Sequence, residues 1–266
     1  MKYYGGIDIG SSTAKFVIVD TVGRMVAKAK KRSGVDYGKT AEELREIVCI
    51  EASITPANIS HVISTGYGRE NVPWSNGKMT EIACHGKGAF SHFGEMITII
   101  DIGAQDSKVI HLDDDGKRTS FKMNRKCAAG TGAFIEEVAH RLAIDISELN
   151  GLAERSKNNV ELGSFCTVFA ATEVIEKIRA GIAVEDIVRG AFSSVTKRIV
   201  EMDRVDGMLV TTGGVVAHNP YLAKMLGDAF GKEAHIAPDA QYMGAYGAAL
   251  FAKEQSEKEK DPVNST

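Results

Sequence analysis

Long apolar runs, surplus positive charge and a secretory leader are all missing from this sequence. No apolar stretch approaches the roughly 20 residues that a membrane-spanning helix requires. The formal net charge of −3 offers no electrostatic basis for binding nucleic acid. The N-terminus lacks the apolar core and cleavage site of a signal peptide. We therefore expect a cytoplasmic protein with neither membrane nor nucleic-acid partners.

Cysteine is also scarce, and the four present are expected to stay reduced in the cytosol. There, cysteines serve metals or chemistry more often than disulfides. The 266 residues suffice for two ordinary domains. Glycine, by contrast, is abundant at 27 residues, and much of it lies in short loops between apolar segments. That distribution is expected where loops must approach a ligand closely.

A strand followed by Asp-x-Gly and a second strand occurs twice. Asp8-Ile9-Gly10 and Asp101-Ile102-Gly103 are 93 positions apart and have similar apolar surroundings. The repeat predicts two similar α/β domains, residues 1–95 and 96–252, followed by a polar tail over residues 253–266. A return of the C-terminal helix to the first domain remains open.

Periodicity predicts the secondary structure around the two repeats. Strands are expected over residues 4–9, 14–19, 25–30, 61–64, 97–102 and 108–112. Helices are expected over residues 40–51, 131–142, 168–180, 184–202 and 221–230. Thr40 is the expected N-cap of the first helix.

The first Asp-x-Gly turn has the composition of a phosphate-binding hairpin. Backbone N–H groups and hydroxyls at such a tip can hold phosphate oxygens. The candidate contacts are Gly10, Ser11, Ser12, Thr13 and Lys15. Asp8 is a candidate for Mg²⁺, held through water. The motif is neither a Walker A loop nor a dinucleotide fingerprint, and taken alone it could be an ordinary surface hairpin.

Two further elements favour a nucleotide. The second turn supplies Asp101, Gly103 and Gln105, and the apolar segment ending at Thr212 is followed by Gly213-Gly214. Three such elements in this order resemble the superfamily of actin, sugar kinases and heat-shock-70 ATPases. The resemblance implies two ribonuclease-H-like domains, with ATP in the cleft between them and Mg²⁺ between the aspartates.

Two cysteines stand beside small or apolar residues that predict helix starts. Cys127 precedes Ala128-Ala129-Gly130, and Cys166 precedes Thr167. Helix N-termini favour negatively charged groups. Two thiolates are too few for an iron–sulfur cluster that needs four ligands, whereas a two-fold dimer supplies four.

The other two cysteines have different contexts. Cys49 lies on the apolar face of a predicted helix and is expected in the core. Cys84 is followed by His85, so that core packing, a ligand role and a nucleophile role stay open, with core packing favoured.

These motifs together resemble the activator ATPases of 2-hydroxyacyl-CoA dehydratases. The resemblance rests on residues 124–132, 166–170, 65–69 and 240–245. The same family holds ATPase subunits of benzoyl-CoA reductase and reductases of double-cubane iron–sulfur proteins. It implies a homodimer that holds one [4Fe–4S] cluster through Cys127 and Cys166 of each subunit.

The resemblance also implies the activity and its partners. ATP hydrolysis would drive one low-potential electron onto an iron–sulfur acceptor of dehydratase or double-cubane type, with reduced ferredoxin or flavodoxin as donor. Asp8 and Asp101 would organise Mg²⁺ and water, Gln105 would orient the attacking water, and Gln241 would contact the nucleotide. Ala104 and Ala171 depart from the usual activator pattern and leave a sister branch open.

Two rivals from other classes remain. A small-molecule kinase of the same superfamily would need a substrate pocket and a catalytic acid, but no paired cysteines. A nucleotide-dependent switch, like a chaperone ATPase domain, would bind ATP without metal or colour.

Overall fold

The computed structural model describes residues 2–158, 160–163 and 167–259, and it separates into two compact units. The first unit runs to Gly94 and takes in the chain from Tyr242 onward, and the second is Glu95–Gln241. No helix in these described ranges is both long and apolar enough to cross a membrane.

The first unit is built on a five-stranded mixed sheet. Its strands are β1 (Tyr3–Ile9), β2 (Thr13–Val19), β3 (Met25–Arg32), β4 (Ile59–Thr65) and β5 (Gly77–Lys78). Their order is β3-β2-β1-β4-β5. β1 and β3 pair antiparallel with β2, whereas β4 pairs parallel with β1. The helices of this unit are α1 (Tyr37–Glu51), α2 (Glu81–Phe93) and α9 (Met243–Lys258).

The second unit repeats the same sheet. Its strands are β6 (Ile97–Ile102), β7 (Ser107–Leu112), β8 (Arg118–Asn124), β9 (Met208–Thr212) and β10 (Ala234–Ile236). Their order, β10-β9-β6-β7-β8, matches the first sheet strand for strand when read in reverse. Its helices are α3 (Gly132–Leu142), α4 (Leu149–Arg155), α5 (Thr167–Arg179), α6 (Val184–Val200), α7 (Gly214–His218) and α8 (Pro220–Phe230).

The division between units differs from the predicted spans at its C-terminal side. The second domain was expected to continue to residue 252, with a return of the C-terminal helix to the first domain left open, and α9 does pack on β1, β4 and α2 of the first unit. Glycines make this approach possible. A Cβ on Gly6 would lie 2.0 Å from the Ala245 carbonyl oxygen, and one on Gly247 would meet the Cys84 carbonyl. The position of α9 is therefore determined by its packing against β1, β4 and α2, and hydrophobic periodicity carries no information about such long-range contacts.

One predicted helix start is wrong by three residues, and the expected position of Cys127 at the start of another helix is also wrong. α1 begins at Tyr37 and its N-cap is Asp36, whose side chain accepts a hydrogen bond from the Lys39 N–H. Thr40 is instead buried within the helix and donates its hydroxyl to the Ser33 carbonyl at 2.8 Å. α3 begins at Gly132, so Cys127 lies in the preceding loop and does not open the helix.

Candidate nucleotide and metal site

The tip of the β1–β2 hairpin carries the first aspartate. Asp8 is buried on β1, directly across from Lys15 on β2. The Lys15 ammonium donates a hydrogen bond to Asp8 Oδ2 at 3.2 Å. The other carboxylate oxygen, Oδ1, is buried and accepts no hydrogen bond from any residue that the structure describes. One oxygen of this carboxylate therefore has a hydrogen-bond donor in the described chain, and the other has none.

Backbone approaches Asp8 closely from two sides. Gly66 follows β4 with φ of +87°, and a Cβ there would lie 2.4 Å from Asp8 Oδ1. Gly244, at the start of α9, would place a Cβ 3.4 Å from Asp8 Oδ2 and 2.9 Å from His85 Nε2. His85 is itself buried, with its Nε2 3.9 Å from a Glu81 carboxylate oxygen. Both glycines belong to motifs recognised in the sequence, but neither was assigned to the site.

The remaining hairpin candidates lie at or next to the turn. Ser11 and Ser12 are exposed at the tip, whereas Gly10 and Thr13 are half-buried. Ser33 braces the turn, because its hydroxyl donates to the Gly10 carbonyl at 2.6 Å and its N–H to the Ser12 carbonyl at 3.0 Å. The backbone that carries the Ser11 and Ser12 hydroxyls is thus held by two hydrogen bonds from Ser33.

The β6–β7 hairpin repeats the arrangement with stronger pairing. Asp101 is buried on β6, across from Lys108 on β7 and Thr212 on β9. Asp101 Oδ2 accepts from Lys108 Nζ at 3.1 Å, and Oδ1 accepts from the Thr212 hydroxyl at 3.0 Å. Lys108 is fully buried and also donates to Asp106 Oδ1 at 2.9 Å. Both oxygens of this carboxylate are engaged.

The glycine pair after β9 lies beside Asp101. Gly213 has φ of +97°, and a Cβ there would lie 2.8 Å from Asp101 Oδ1. A Cβ on Gly214 would meet the Gln241 amide at 3.2 Å. Gln241 Oε1 lies 3.2 Å from His218 Nε2. The pair therefore leaves bare backbone next to a polar side chain, which suits a nucleoside. Gln105 is exposed at the hairpin tip.

The repeat between the two hairpins includes more residues than the Asp-x-Gly motif. Each aspartate pairs with a lysine seven positions later, Lys15 and Lys108. Each also lies opposite a threonine on the parallel strand, Thr65 or Thr212. Lys108 was not predicted, although its spacing from Asp101 repeats that of Lys15 from Asp8. The two threonines were not predicted either, because their placement depends on strand pairing over long separations.

The orphaned oxygen of Asp8 fits a hydrated cation. Leaving a buried acceptor without a donor costs about 1–3 kcal/mol, more for a charged group. Mg²⁺ keeps several of its waters in protein sites and is often bound by one or two carboxylates. A metal-bound water would give Asp8 Oδ1 the donor that it lacks within the described chain. The donor set is therefore compatible with Mg²⁺ at Asp8.

The three cysteines that the structure describes differ in their burial. Cys49 and Cys84 are buried free thiols. Burial raises the pKa of the Cys84 thiol to about 12, so this residue packs in the core as a neutral group. Cys127 is exposed in the loop between β8 and α3. Cys166 lies outside the described residues, although α5 begins directly after it at Thr167. One expected cluster ligand thus fits an exposed metal centre.

Comparisons with known proteins agree over almost the whole chain. The family model described as the BadF/BadG/BcrA/BcrD ATPase family matches residues 6–252. The (R)-2-hydroxyglutaryl-CoA dehydratase activating ATPase of Acidaminococcus fermentans is 37% identical, over 96% of this chain and 99% of that protein. One of the benzoyl-CoA reductase subunits of Thauera aromatica is 31% identical, over 97% of this chain and 95% of that protein.

A solved relative shows the same fold with a nucleotide analogue. The activator of 2-hydroxyisocaproyl-CoA dehydratase from Clostridium difficile, with bound ADPNP, has a TM-score of 0.92 and 35% identity. The match covers 99% of each chain.

More distant structures match in fold alone. A ROK family glucokinase from Streptomyces griseus has a TM-score of 0.54 at 14% identity. With the two equivalent sheets, this confirms the expected fold class of the actin, sugar kinase and heat-shock-70 ATPases.

Proposed function

The chain belongs to the BadF/BadG/BcrA/BcrD ATPase family, and from that membership we propose that it drives a low-potential electron onto a partner enzyme at the expense of ATP. The observation that carries this proposal is the match over residues 6–252 together with two Asp–Lys hairpins of equal spacing. The partner would be a 2-hydroxyacyl-CoA dehydratase or a double-cubane iron–sulfur protein. Relatives named as dehydratase activators reach 35–37% identity.

A second candidate is the ATPase subunit of a benzoyl-CoA-reductase-like complex. It is favoured by the relative in Thauera aromatica, at the lower identity of 31%. Both candidates share the ATPase and the electron-transfer role, so they differ only in the partner protein.

The two aspartates would divide the work of hydrolysis. Asp8, with one unengaged oxygen, would hold water on Mg²⁺, and the cation would neutralise phosphate charge. Asp101 is fixed by Lys108 and Thr212, so its carboxylate would keep one orientation beside its turn. Gln105 would orient the water that attacks the terminal phosphorus as ADP leaves.

Small groups at the turns would bind the nucleotide itself. Phosphate contacts are assigned to backbone and side chains of the two hairpin turns, and nucleoside contacts to the segments after β9 and β10. The phosphate set is Gly10, Ser11, Ser12, Thr13, Lys15 and Gly103. The nucleoside set is Gly213, Gly214 and Gln241.

The proposed electron carrier is a [4Fe–4S] cluster held by Cys127 and Cys166 of two subunits in a homodimer. When bound, the cluster supplies a one-electron couple whose potential depends on solvent exposure and hydrogen bonding. The exposure of Cys127 supports this assignment, because an exposed residue is accessible to a second chain. Reduced ferredoxin or flavodoxin would supply the electron.

An anaerobic preparation separates this function from its rivals. We expect the coloured, visible-light absorbance of a protein that holds an iron–sulfur cluster. Adding Mg·ATP to the reduced protein should change the EPR spectrum of the cluster, with a smaller or different change for ADP. A colourless protein that still hydrolyses ATP would indicate a kinase or a switch of the same fold. Spectra unaltered by any nucleotide would argue against coupling.

A further inference from the structure

The loop that carries Cys127 is held through its carbonyl groups by one cross-strand pair. Asn124 ends β8, and its side-chain amide donates to the Cys127 carbonyl at 3.0 Å and to the Ala129 carbonyl at 2.8 Å. Ser107 is the partner of Asn124 on β7 and donates its hydroxyl to the Gly130 carbonyl. Two adjacent side chains thus fix three carbonyls of the loop.

The loop also braces itself. Thr131 donates both its N–H, at 3.1 Å, and its hydroxyl, at 2.6 Å, to the Ala128 carbonyl. Every carbonyl from Cys127 to Gly130 therefore accepts a hydrogen bond from the protein. Gly130 has φ of +80°, and a Cβ there would lie 3.0 Å from the Arg198 side chain. These hydrogen bonds restrain the backbone of the loop in which the exposed Cys127 lies.

The other end of the same segment is bonded to the second phosphate turn. The Gly132 N–H donates to the Gly103 carbonyl at 2.9 Å, and the Ala133 N–H donates to the Ala104 carbonyl at 2.8 Å. A Cβ on Gly132 would lie 3.2 Å from both the Gly103 carbonyl oxygen and Ala104 Cα. Glycine at 132 therefore permits the start of α3 to lie directly on this turn.

We propose that Asn124 is a positioning residue for Cys127, and that residues 124–133 convert movement of the Gly103–Ala104 turn into movement of the Cys127 thiol. The segment has two anchors, one on the β7–β8 pair and one on the turn. If the turn shifts relative to the strands, the loop between the two anchors must move with it. Its carbonyl groups are all hydrogen-bonded, so the loop has little freedom to absorb the shift in other ways. The route lies entirely within the second unit.

This inference rests on the proposed function in one respect, which is that the Gly103 turn contacts nucleotide phosphates. Its test is therefore read on the thiol itself, in the full-length chain after iron has been removed anaerobically. The rate of alkylation of Cys127 by iodoacetamide is measured by mass spectrometry of its peptide, with and without Mg·ADPNP. Binding of ADPNP is measured on the same samples by calorimetry.

Asn124→Asp keeps the side-chain shape but removes both N–H donors and sets a carboxylate against two carbonyls. Ser120→Asp is the matched control, since it adds the same charge at an exposed position of β8. We expect the labelling rate per Cys127 thiolate to be about tenfold faster in Asn124→Asp without nucleotide, which corresponds to ~1.4 kcal/mol; rates are compared per thiolate because the new carboxylate itself disfavours ionisation of the thiol. We also expect loss of the nucleotide response, with ADPNP affinity unchanged. Ser120→Asp should behave like the wild type.

A second variant tests the other anchor. Gly132→Ala adds a methyl group 3.0 Å from the Val215 side chain and 3.2 Å from the backbone of Gly103 and Ala104, so it pushes the start of α3 away from the turn while leaving the Asn124 bonds in place. It should keep the wild-type labelling rate without nucleotide and lose the response to ADPNP. If Asn124→Asp melts well below the wild type, Ser107→Ala, which removes only the bond to Gly130, takes its place with a smaller rise in labelling.

The outcomes distinguish the two proposals. Wild-type protein that binds no ADPNP would overturn both. Wild-type protein that binds ADPNP with no change at Cys127 would overturn the coupling alone. Wild-type labelling and wild-type response in both Asn124→Asp and Gly132→Ala would remove the assigned role from residues 124–133.

Discussion

At the scale of single residues, the two buried aspartates lie in equivalent places but differ in their hydrogen bonding. Asp101 uses both oxygens, on Lys108 and on Thr212. Asp8 uses one, on Lys15, and its second oxygen finds no donor in the described chain. The lysines differ too, since the side chain of Lys108 is 0% exposed and that of Lys15 is 15% exposed. The Asp101 carboxylate therefore contributes more to the hydrogen bonding of the fold, whereas Asp8 has one oxygen that could still accept a hydrogen bond from a ligand.

Substituting each aspartate should separate these roles. Asp8→Asn should lower Mg²⁺-dependent ATP hydrolysis by roughly 100-fold or more, the scale of losing one preorganised charge contact, with little change in unfolding free energy. Asp101→Asn should also reduce hydrolysis but destabilise the fold by about 1.5–3 kcal/mol, because the fully buried Lys108 loses a charge-assisted hydrogen bond while it keeps Asp106 as a partner. Asp228→Asn, on the exposed end of α8, is the control for charge. Equal stability of the Asp8 and Asp101 variants in urea would contradict this assignment.

Thiol reactivity should divide the cysteines in the same way as burial does. Only the thiolate is nucleophilic. With its pKa raised to about 12 by burial, Cys84 carries thiolate at about one part in ten thousand near pH 8. Cys127 is exposed. In the metal-free native protein, iodoacetamide should therefore modify Cys127 and spare Cys84 and Cys49 until denaturant is added. Comparable labelling of Cys84 and Cys127 in the native state would show that the core is open.

At the scale of elements, each of the two aspartates lies beside a glycine with positive φ that directly follows a parallel strand. Gly66 follows β4 and Gly213 follows β9, with φ of +87° and +97°. At each, a Cβ would also strike the neighbouring aspartate, at 2.4 Å and 2.8 Å. These glycines therefore do two things: they permit the turn, and they let backbone touch the carboxylate.

Alanine substitutions with matched controls can separate these two effects. Gly94 and Gly231 end α2 and α8 with positive φ, and nothing lies within 4 Å of a Cβ there. Gly94→Ala and Gly231→Ala should cost about 1 kcal/mol of unfolding free energy from backbone strain alone. Gly66→Ala and Gly213→Ala should cost about 1–3 kcal/mol more and reduce hydrolysis as the carboxylate is displaced. Equal losses at all four positions would mean that the aspartates are not crowded.

Most elements could be predicted from periodicity, whereas their ends and their neighbours could not. β6 was predicted within its observed bounds because its residues are all buried and it runs directly into a glycine turn. The start of α1 was misplaced because Asp36, its actual cap, precedes a Tyr-Gly-Lys stretch that shows no apolar stripe. The loop after Cys127 was misread as a helix turn because small residues suit both, and the deciding bonds come from Asn124 and Ser107.

At the scale of the whole molecule, an internal repeat predicted two sheets of one design, and the two strand orders agree. The repeat left open whether α9 belongs to the first unit, because that depends on close approaches at Gly6 and Gly247 between segments far apart in the chain. It could not predict the Thr212–Asp101 bond, which joins parallel strands distant in sequence. Local pattern therefore predicts the hairpins, and long-range pairing determines what surrounds them.

Sharing of one cluster by two chains, through Cys127 and Cys166, is the property on which the proposed electron transfer depends most. The direct measurement is iron and acid-labile sulfide per dimer in anaerobically purified protein, with the dimer established by light scattering. We expect about four irons per two chains in the wild type and in Cys49→Ser, whose thiol is buried in α1. Cys127→Ser and Cys166→Ser should lose the iron and keep ADPNP binding. A full four-iron complement in either of these variants, or a wild-type dimer without iron, would contradict the claim.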